Sequence, residues 1–283
     1  MSSLAELAQR HARLQEISGI MSAMKALSLV ETNKLARFLG HQQRMRANIE
    51  NAAADFIAFH PEVGAQVASG STTVVLLIGS ERGFCGNFND RIVQTLATPA
   101  PEFAKASFVV VGQRLSGRLG NDGRVLAHLE GATVAEDVPA VLEQLLDALP
   151  ALRTAPTSVM MRLLCLSHNA HGEPELTHLL PLTPAAVERR RADAPQLLLT
   201  PGVFYRELLD QFLLAALCGQ LYTSLAAENH QRLAHMENAL DRLGETMERL
   251  ALRRNSLRQE RIIEEIEVML SGTTTQNQNT ATP

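Results

Sequence analysis

The sequence predicts an α/β domain set between two terminal helices that pair as a long antiparallel coiled coil. Three observations predict it. From about Tyr205 to Leu270 an apolar seam runs on alternating steps of three and four residues, through Phe212, Ala215, Tyr222, Leu233, Met236, Leu250 and Leu257, with no proline to interrupt it. The first sixty residues repeat in sevens from Leu7, through Leu14, Met21, Ser28, Leu35, Gln42, Ile49 and Phe56. Between these ends, short β-branched runs alternate with helical segments.

The expected boundaries are an amino-terminal helix over 1–60, a central domain over 72–181, a carboxy-terminal helix over 203–272 and a disordered tail over 273–283. Ser2 or Ser3 can cap the first helix, with Glu6 at capping-box spacing from Ser3, and His60 with Pro61 ends it. A second row of the heptad is expected three residues on, at Arg10, Ile17, Met24, Glu31, Phe38, Met45, Ala52 and Phe59. Ser28, Glu31 and Gln42 break the apolar rule. Such positions set register or face something other than the partner helix, and register is the expectation here. At about 1.5 Å per residue the second helix would reach roughly 100 Å, so it needs a partner. The first helix supplies one, and parallel self-association is the alternative.

The Gly, Ala and Ser residues of 61–71 read as a linker. Thr72 to Ile78 (TTVVLLI) reads as a strand, followed by the glycine-rich turn Gly79 to Asn89 (GSERGFCGNFN) and a helix from Asp90 to Leu96. Further strands are expected over Ser107–Val111, Arg124–Leu129, Ser158–Leu166 and Glu175–Leu180, with helices over Arg114–Leu119 and Val138–Leu149. This order predicts a small Rossmann-like sheet covered by helices, its strands buried on both faces. Pro181 to Gly202 holds four prolines and three consecutive arginines and reads as a loop. Ser271 and Gly272 are expected to stop the last helix, and TTTQNQNTATP has no means of packing.

Composition narrows the class. The net charge of −4 over 283 residues does not predict nucleic-acid binding. The amino terminus lacks the basic then apolar run of a signal peptide, and no run approaches ~18 consecutive apolar residues, so a cytosolic chain is expected. Cys85, Cys165 and Cys218 lie far apart, with no disulfide or zinc spacing.

The glycine turn is the first candidate for chemistry. After its last glycine, a phosphate loop needs a lysine and a hydroxyl residue, and here Gly86 is followed by Asn87 and Phe88. The dinucleotide spacing fails too, which leaves a structural turn, and no histidine near Cys85 in sequence would activate it. His168, His171 and His178 form the second candidate: three histidines can ligate a metal, though surface loop histidines are the ordinary reading. The third is the charged end of the last helix, where Arg253, Arg254, Arg258 and Arg261 mix with Glu260, Glu264, Glu265 and Glu267. It reads as a solvated helix face or as a surface meant for another protein.

Several of these segments together resemble one family, the gamma subunit of F-type ATP synthases. Ser80 to Asn89 is similar to that family's turn, His178 to Leu182 (HLLPL) to its Leu-Leu-Pro-Leu strand, and Ala23 with Met24 to its Lys-Ala-Met. Leu208 to Gly272 is similar along its whole length to the carboxy-terminal helix, through Glu228, Met236, Arg258, Gln259, Glu265, Ser271 and Gly272. The resemblance implies a rotor shaft without catalysis or cofactor of its own. Its implied partners are the alpha and beta subunits of a hexamer, the epsilon subunit and the membrane c-ring, with the chain peripheral to the cytoplasmic face of the cell membrane. Contacts with hexamer loops are implied for Arg258, Gln259 and Glu265, and with beta-subunit levers for Met24 and Lys25. The turn, with Arg82, Cys85 and Asn89, is implied to lie nearby. Gln15 to Met24 (QEISGIMSAM) lacks two lysines common in relatives, Ile263 and Glu264 replace a threonine and a glutamine, and the tail is extra; these departures suggest a divergent bacterial branch. Two other classes fit parts of the sequence: a nucleotide-dependent enzyme on the α/β domain, and a passive coiled-coil tether.

Overall fold

The computed structural model describes residues 4–60, 72–151, 162–182 and 196–279. The expected Ser3 cap, the 61–71 linker, the start of the strand expected from Ser158 and the middle of the proline-rich loop lie outside the described residues. The chain divides into two compact units, one of Met1–Ala26 with Met236–Pro283 and one of Leu27–His235.

The elements in chain order are α1 (Leu4–Phe59), β1 (Thr73–Ile78), α2 (Phe88–Ala97), α3 (Pro101–Ala104), β2 (Ser107–Val111), α4 (Gln113–Leu119) and β3 (Val125–Leu129). A 3₁₀ turn (Ala135–Asp137), α5 (Val138–Ala151), β4 (Arg162–His168), β5 (Pro174–Leu180) and α6 (Pro201–Asn279) follow. The five strands form one sheet in the order β3-β2-β1-β4-β5. Pairs β1/β2, β1/β4 and β2/β3 are parallel, and β5 runs antiparallel to β4 at the edge.

The residue pattern explains the layers. Successive strand residues face opposite sides, so Val74, Leu76 and Ile78 of β1 enter one core while Val75 and Leu77 enter another. The first core is closed by α5 and by helical residues such as Leu35, Phe212, Leu217, Leu221 and Tyr222. Ile92, Phe103 and Leu115 close the second. Burying each such side chain contributes about 1.5–3 kcal/mol, so this two-sided packing holds the sheet. Strands β1, β2 and β4 are buried runs as expected, whereas β3 alternates and β5 is mostly half-buried or exposed. The difference is positional, because edge strands keep one side toward solvent. Strand β4 also continues to His168, where its pairing with Pro174 ends.

Within the larger unit α1 and α6 pair antiparallel. Phe38 stacks on Tyr222 with ring centroids 5.4 Å apart, and further along α1 Phe56 meets Phe204 at 4.9 Å and Tyr205 at 6.0 Å. In the other unit Lys25 Nζ donates to Glu237 Oε1 at 2.7 Å. The expected seam of α6 is buried or half-buried at every position from Phe212 to Leu257. On α1 the first heptad row is likewise covered, but the second row holds only in part. Met24, Glu31 and Phe59 are half-buried and Phe38 stacks on Tyr222, whereas Arg10, Ile17, Met45 and Ala52 are exposed and His11, Ser18, Arg46 and Ala53, one position later, are covered instead. A helix turns by 3.6 residues, so either spacing keeps a row on one face, and polar residues with short side chains or aliphatic stems fill the chosen row.

Two helix ends behave differently. Helix α1 stops before His60 and Pro61, as proline demands. Helix α6 instead runs seven residues past Gly272, to Asn279. A single glycine costs a helix interior only about 1 kcal/mol, and the TTTQNQN that follows contains no breaker, so the stop expected there is corrected. One stretch of α6 is apolar enough by composition to cross a membrane, but half of it is buried inside the structure.

Candidate functional site

The turn after β1 is built around Ser80. Asn89 Oδ1 accepts the Ser80 N–H at 2.9 Å, Asn89 Nδ2 donates to Ser80 Oγ at 2.7 Å, and the Cys85 thiol donates to the same hydroxyl at 3.2 Å. Asn89 and Cys85 are therefore inside the turn, and burial pushes the Cys85 thiol up, away from the reactive thiolate. Gly79 permits the fold of this knot: a Cβ there would lie 2.3 Å from Leu115 Cβ and 2.7 Å from Asn89 Oδ1. The tip faces out. Arg82 is exposed, and Phe84, 57% exposed, is held at a left-handed φ of 64°.

At the carboxyl ends of the strands, side chains of the chain itself meet one another. Glu81 Oε2 accepts the N–H of Gln113, at the start of α4, at 3.0 Å and that of Gly131 at 2.7 Å. At the end of β4, Phe88 stacks on His168 with centroids 3.6 Å apart.

Helix α6 grips the turn from below. Arg232 Nε donates to the Gly83 carbonyl at 3.2 Å and Arg232 NH1 to Asn229 Oδ1 at 3.0 Å, and its remaining nitrogen pairs with the Glu228 carboxylate. All three side chains are buried. Desolvation pushes the Glu228 carboxyl up to about 7 against the pull of Arg232, with the nearby Glu81 charge adding to the rise. Sequence reading missed this cluster, because Glu and Arg one turn apart look like any solvated helix pair.

The three histidines do not converge as a ligand set. His168 is fully buried, neither ring nitrogen meets hydrogen-bond geometry among the described residues, and burial with the Arg91 charge lowers it to about 4 against a smaller opposing pull from the Phe88 backbone. His178 is exposed on β5 opposite Leu164, and His171 lies in the turn between the strands. His171 lines a cavity of about 290 Å³ with His230 and Gln231 of α6. Among the described residues no group of three or more His, Cys, Asp or Glu side chains is placed to hold a metal ion.

On α1, Met24 is half-buried and Lys25 is committed to Glu237. Glu31 faces the α/β domain rather than α6, accepting the Ala135 N–H at 2.5 Å, which corrects the expectation that it sets helix register. At the other end of the chain every residue from Arg258 to Met269 is exposed, so Arg258, Gln259 and Glu265 are all open. Ile262, Ile263 and Ile266 are exposed with them, as are Ile17 and Ile20 in the same unit. The predicted contact residues thus separate into the open Arg82, Arg258, Gln259 and Glu265, the partly covered Met24 and Lys25, and the enclosed Cys85 and Asn89.

Comparison with known proteins covers nearly the whole chain. A family profile described as ATP synthase matches residues 3–275. An ATP synthase gamma chain of Methylibium petroleiphilum is 25% identical over 287 residues, covering 92% of this chain and 95% of that relative. One of Clostridium botulinum is 24% identical over 277 residues, covering 92% and 94%. Among solved structures, a chain of the Euglena gracilis mitochondrial ATP synthase OSCP/F1/c-ring assembly in rotational state 3 superposes with a TM-score of 0.65, at 15% identity, over 99% of this chain and 96% of that one. A chain of the same organism's rotor in rotational state 1 gives 0.61, covering 92% and 98% at 15% identity. Both carry the same fold.

Proposed function

This chain belongs to the ATP synthase family, as a gamma chain, and from that premise we propose how its surfaces serve a rotating shaft. It is the central shaft of a rotary F-type ATP synthase, coupling ion flow through a membrane ring to ATP synthesis or hydrolysis in a hexamer of alpha and beta subunits. The chain is a subunit of that complex, and we read it as non-catalytic: after Gly86 the glycine turn carries Asn87 and Phe88 in place of the lysine and hydroxyl residue of a phosphate loop. It associates with the membrane through the complex, and we place it at the cytoplasmic face, with the epsilon subunit and the c-ring as further partners.

The observation that carries this reading is the unbroken exposure of Arg258 to Met269, with Ile262, Ile263 and Ile266 open to solvent. Apolar side chains in that number on a bare helix mark a surface that another protein covers. We assign Arg258, Gln259 and Glu265 to hexamer loops and Met24 with Lys25 to the beta-subunit levers. At the turn the contact falls to Arg82 and the neighbouring Phe84, while Cys85 and Asn89 hold its shape. We also read 1–60 and 203–272 as the shaft helices, 72–181 as the domain at its base and 273–283 as a tail.

Driving one catalytic site from 1:99 to 99:1 requires about 5.5 kcal/mol, whereas an exposed ion pair supplies about 0–1. The coupling is therefore spread over many contacts. Co-expression with alpha and beta subunits tests the reading: a stoichiometric complex retaining one copy of this chain is expected, and ATP hydrolysis by the chain alone would overturn it.

A further inference from the structure

We propose that the α/β domain is keyed separately to each shaft helix, by Glu31 on α1 and by Arg232 on α6, and that the two keys act in parallel to pass turning force between domain and shaft. The proposal rests on the shaft reading above. Most of the interface between the domain and the two helices is apolar, and apolar burial is non-directional: it holds surfaces together without fixing them against sliding. Directional bonds to backbone do fix them. Glu31 stands where the heptad asks for an apolar residue, and it accepts the Ala135 N–H at the first residue of the 3₁₀ turn, a donor with no partner inside that turn. Lys34, nearly one turn further on α1, pairs with Glu136 of the same turn and lies 4.0 Å from Glu31.

The second key has the same design with opposite polarity. Arg232 donates to the Gly83 carbonyl, a backbone group fixed just beyond β1, while Glu228 and Asn229 orient the guanidinium. Gly83 and Ala135 belong to different connections of one sheet, so each helix is held at its own point. A buried ion pair is poor evidence for stability, since apolar residues of similar volume serve packing as well or better. Retaining one at this contact fits a positional role.

The test uses complexes of alpha and beta subunits with the full chain, a bead attached to the α/β domain through Asn121→Cys, and viscous load. The readout is the variance of the bead angle within each pause, which rises as the torsional stiffness between domain and shaft falls. Glu31→Leu removes the first key without leaving a charge; the pair Glu228→Leu with Arg232→Met removes the second without stranding one. Each alone is expected to raise the variance no more than about twofold, and all three substitutions together are expected to raise it at least tenfold, while shifts in the thermal midpoint of the free chain simply add. A combined rise no greater than the product of the two separate rises overturns the proposal, as does a tenfold rise from Glu31→Leu alone. If the double substitution does not fold, Arg232→Lys takes its place, preserving the buried charge but falling short of the Gly83 carbonyl. An unaltered complex whose bead never turns would instead overturn the shaft reading itself.

Discussion

Glu228 and Arg232 form an ion pair one helical turn apart on α6, with almost no solvent exposure on either side chain. Removing one member of such a pair leaves the other buried and uncompensated. Arg232→Met is therefore expected to cost about 3–5 kcal/mol at pH 8, by urea denaturation of the free chain. At pH 5.5 the cost should be clearly smaller, because the stranded Glu228 can then take up a proton. Equal costs at both pH values would contradict the assignment.

The same carboxyl gives a pH dependence of definite sign. Its value rises from 4.5 to about 7 on folding, so the folded state binds the extra proton. That contribution is fully present below 4.5 and is lost as pH climbs through 7, amounting to about 3 kcal/mol. His168 works in the opposite direction. Its value falls from 6.5 to about 4, so its contribution is present above 6.5 and is lost as pH drops toward 4. Glu228→Gln should flatten the decline between pH 5 and 7 and expose the rising limb due to His168.

His168 also offers a substitution that should not hurt. Among the described residues neither of its buried ring nitrogens meets hydrogen-bond geometry, and its face stacks on Phe88. Because an unsatisfied buried polar group costs about 1–3 kcal/mol, His168→Phe should be neutral or stabilising near neutral pH and should remove the acid-side loss. A loss above about 2 kcal/mol at pH 7 would indicate a polar role for the ring.

Gly112 sits at φ 102° against the turn, and a Cβ there would lie 2.7 Å from the Gly79 carbonyl oxygen. The obstacle is backbone, so it cannot swing aside. Gly112→Ala should cost about 1–3 kcal/mol from overpacking, plus the strain of the left-handed φ. Gly117→Ala, where a Cβ meets nothing within 4 Å among the described residues, serves as the control and should be neutral or better, read as the urea midpoint.

Much of this was legible beforehand for physical reasons. β-branched runs such as TVVLLI have few alternatives to a buried strand, and a proline-free seam from Phe212 to Leu257 on α6 admits only a helix. The site was less legible. Glu31 was visible as an exception to the heptad, but its partner is the backbone of a turn 104 residues away, and no local pattern encodes that. Arg232 was invisible because burial, which makes it consequential, is a property of tertiary packing. Cys85 and Asn89 stood out as motif residues, yet their side chains close the knot around Ser80. The second row of α1 was misplaced in part because Ile17 and Met45 carry strong apolar signals there and are nonetheless exposed.

The central claim is that this chain turns inside its hexamer. Cys85 and Cys165 are buried and Cys218 is half-buried, so a cysteine introduced at the exposed Asn121 provides a selective attachment point. With the hexamer fixed to a surface and a bead on Asn121→Cys, added ATP should drive rotation in one direction in three equal steps per turn. Steady ATP hydrolysis by an intact complex with the bead motionless, or turning without preferred direction, would contradict it.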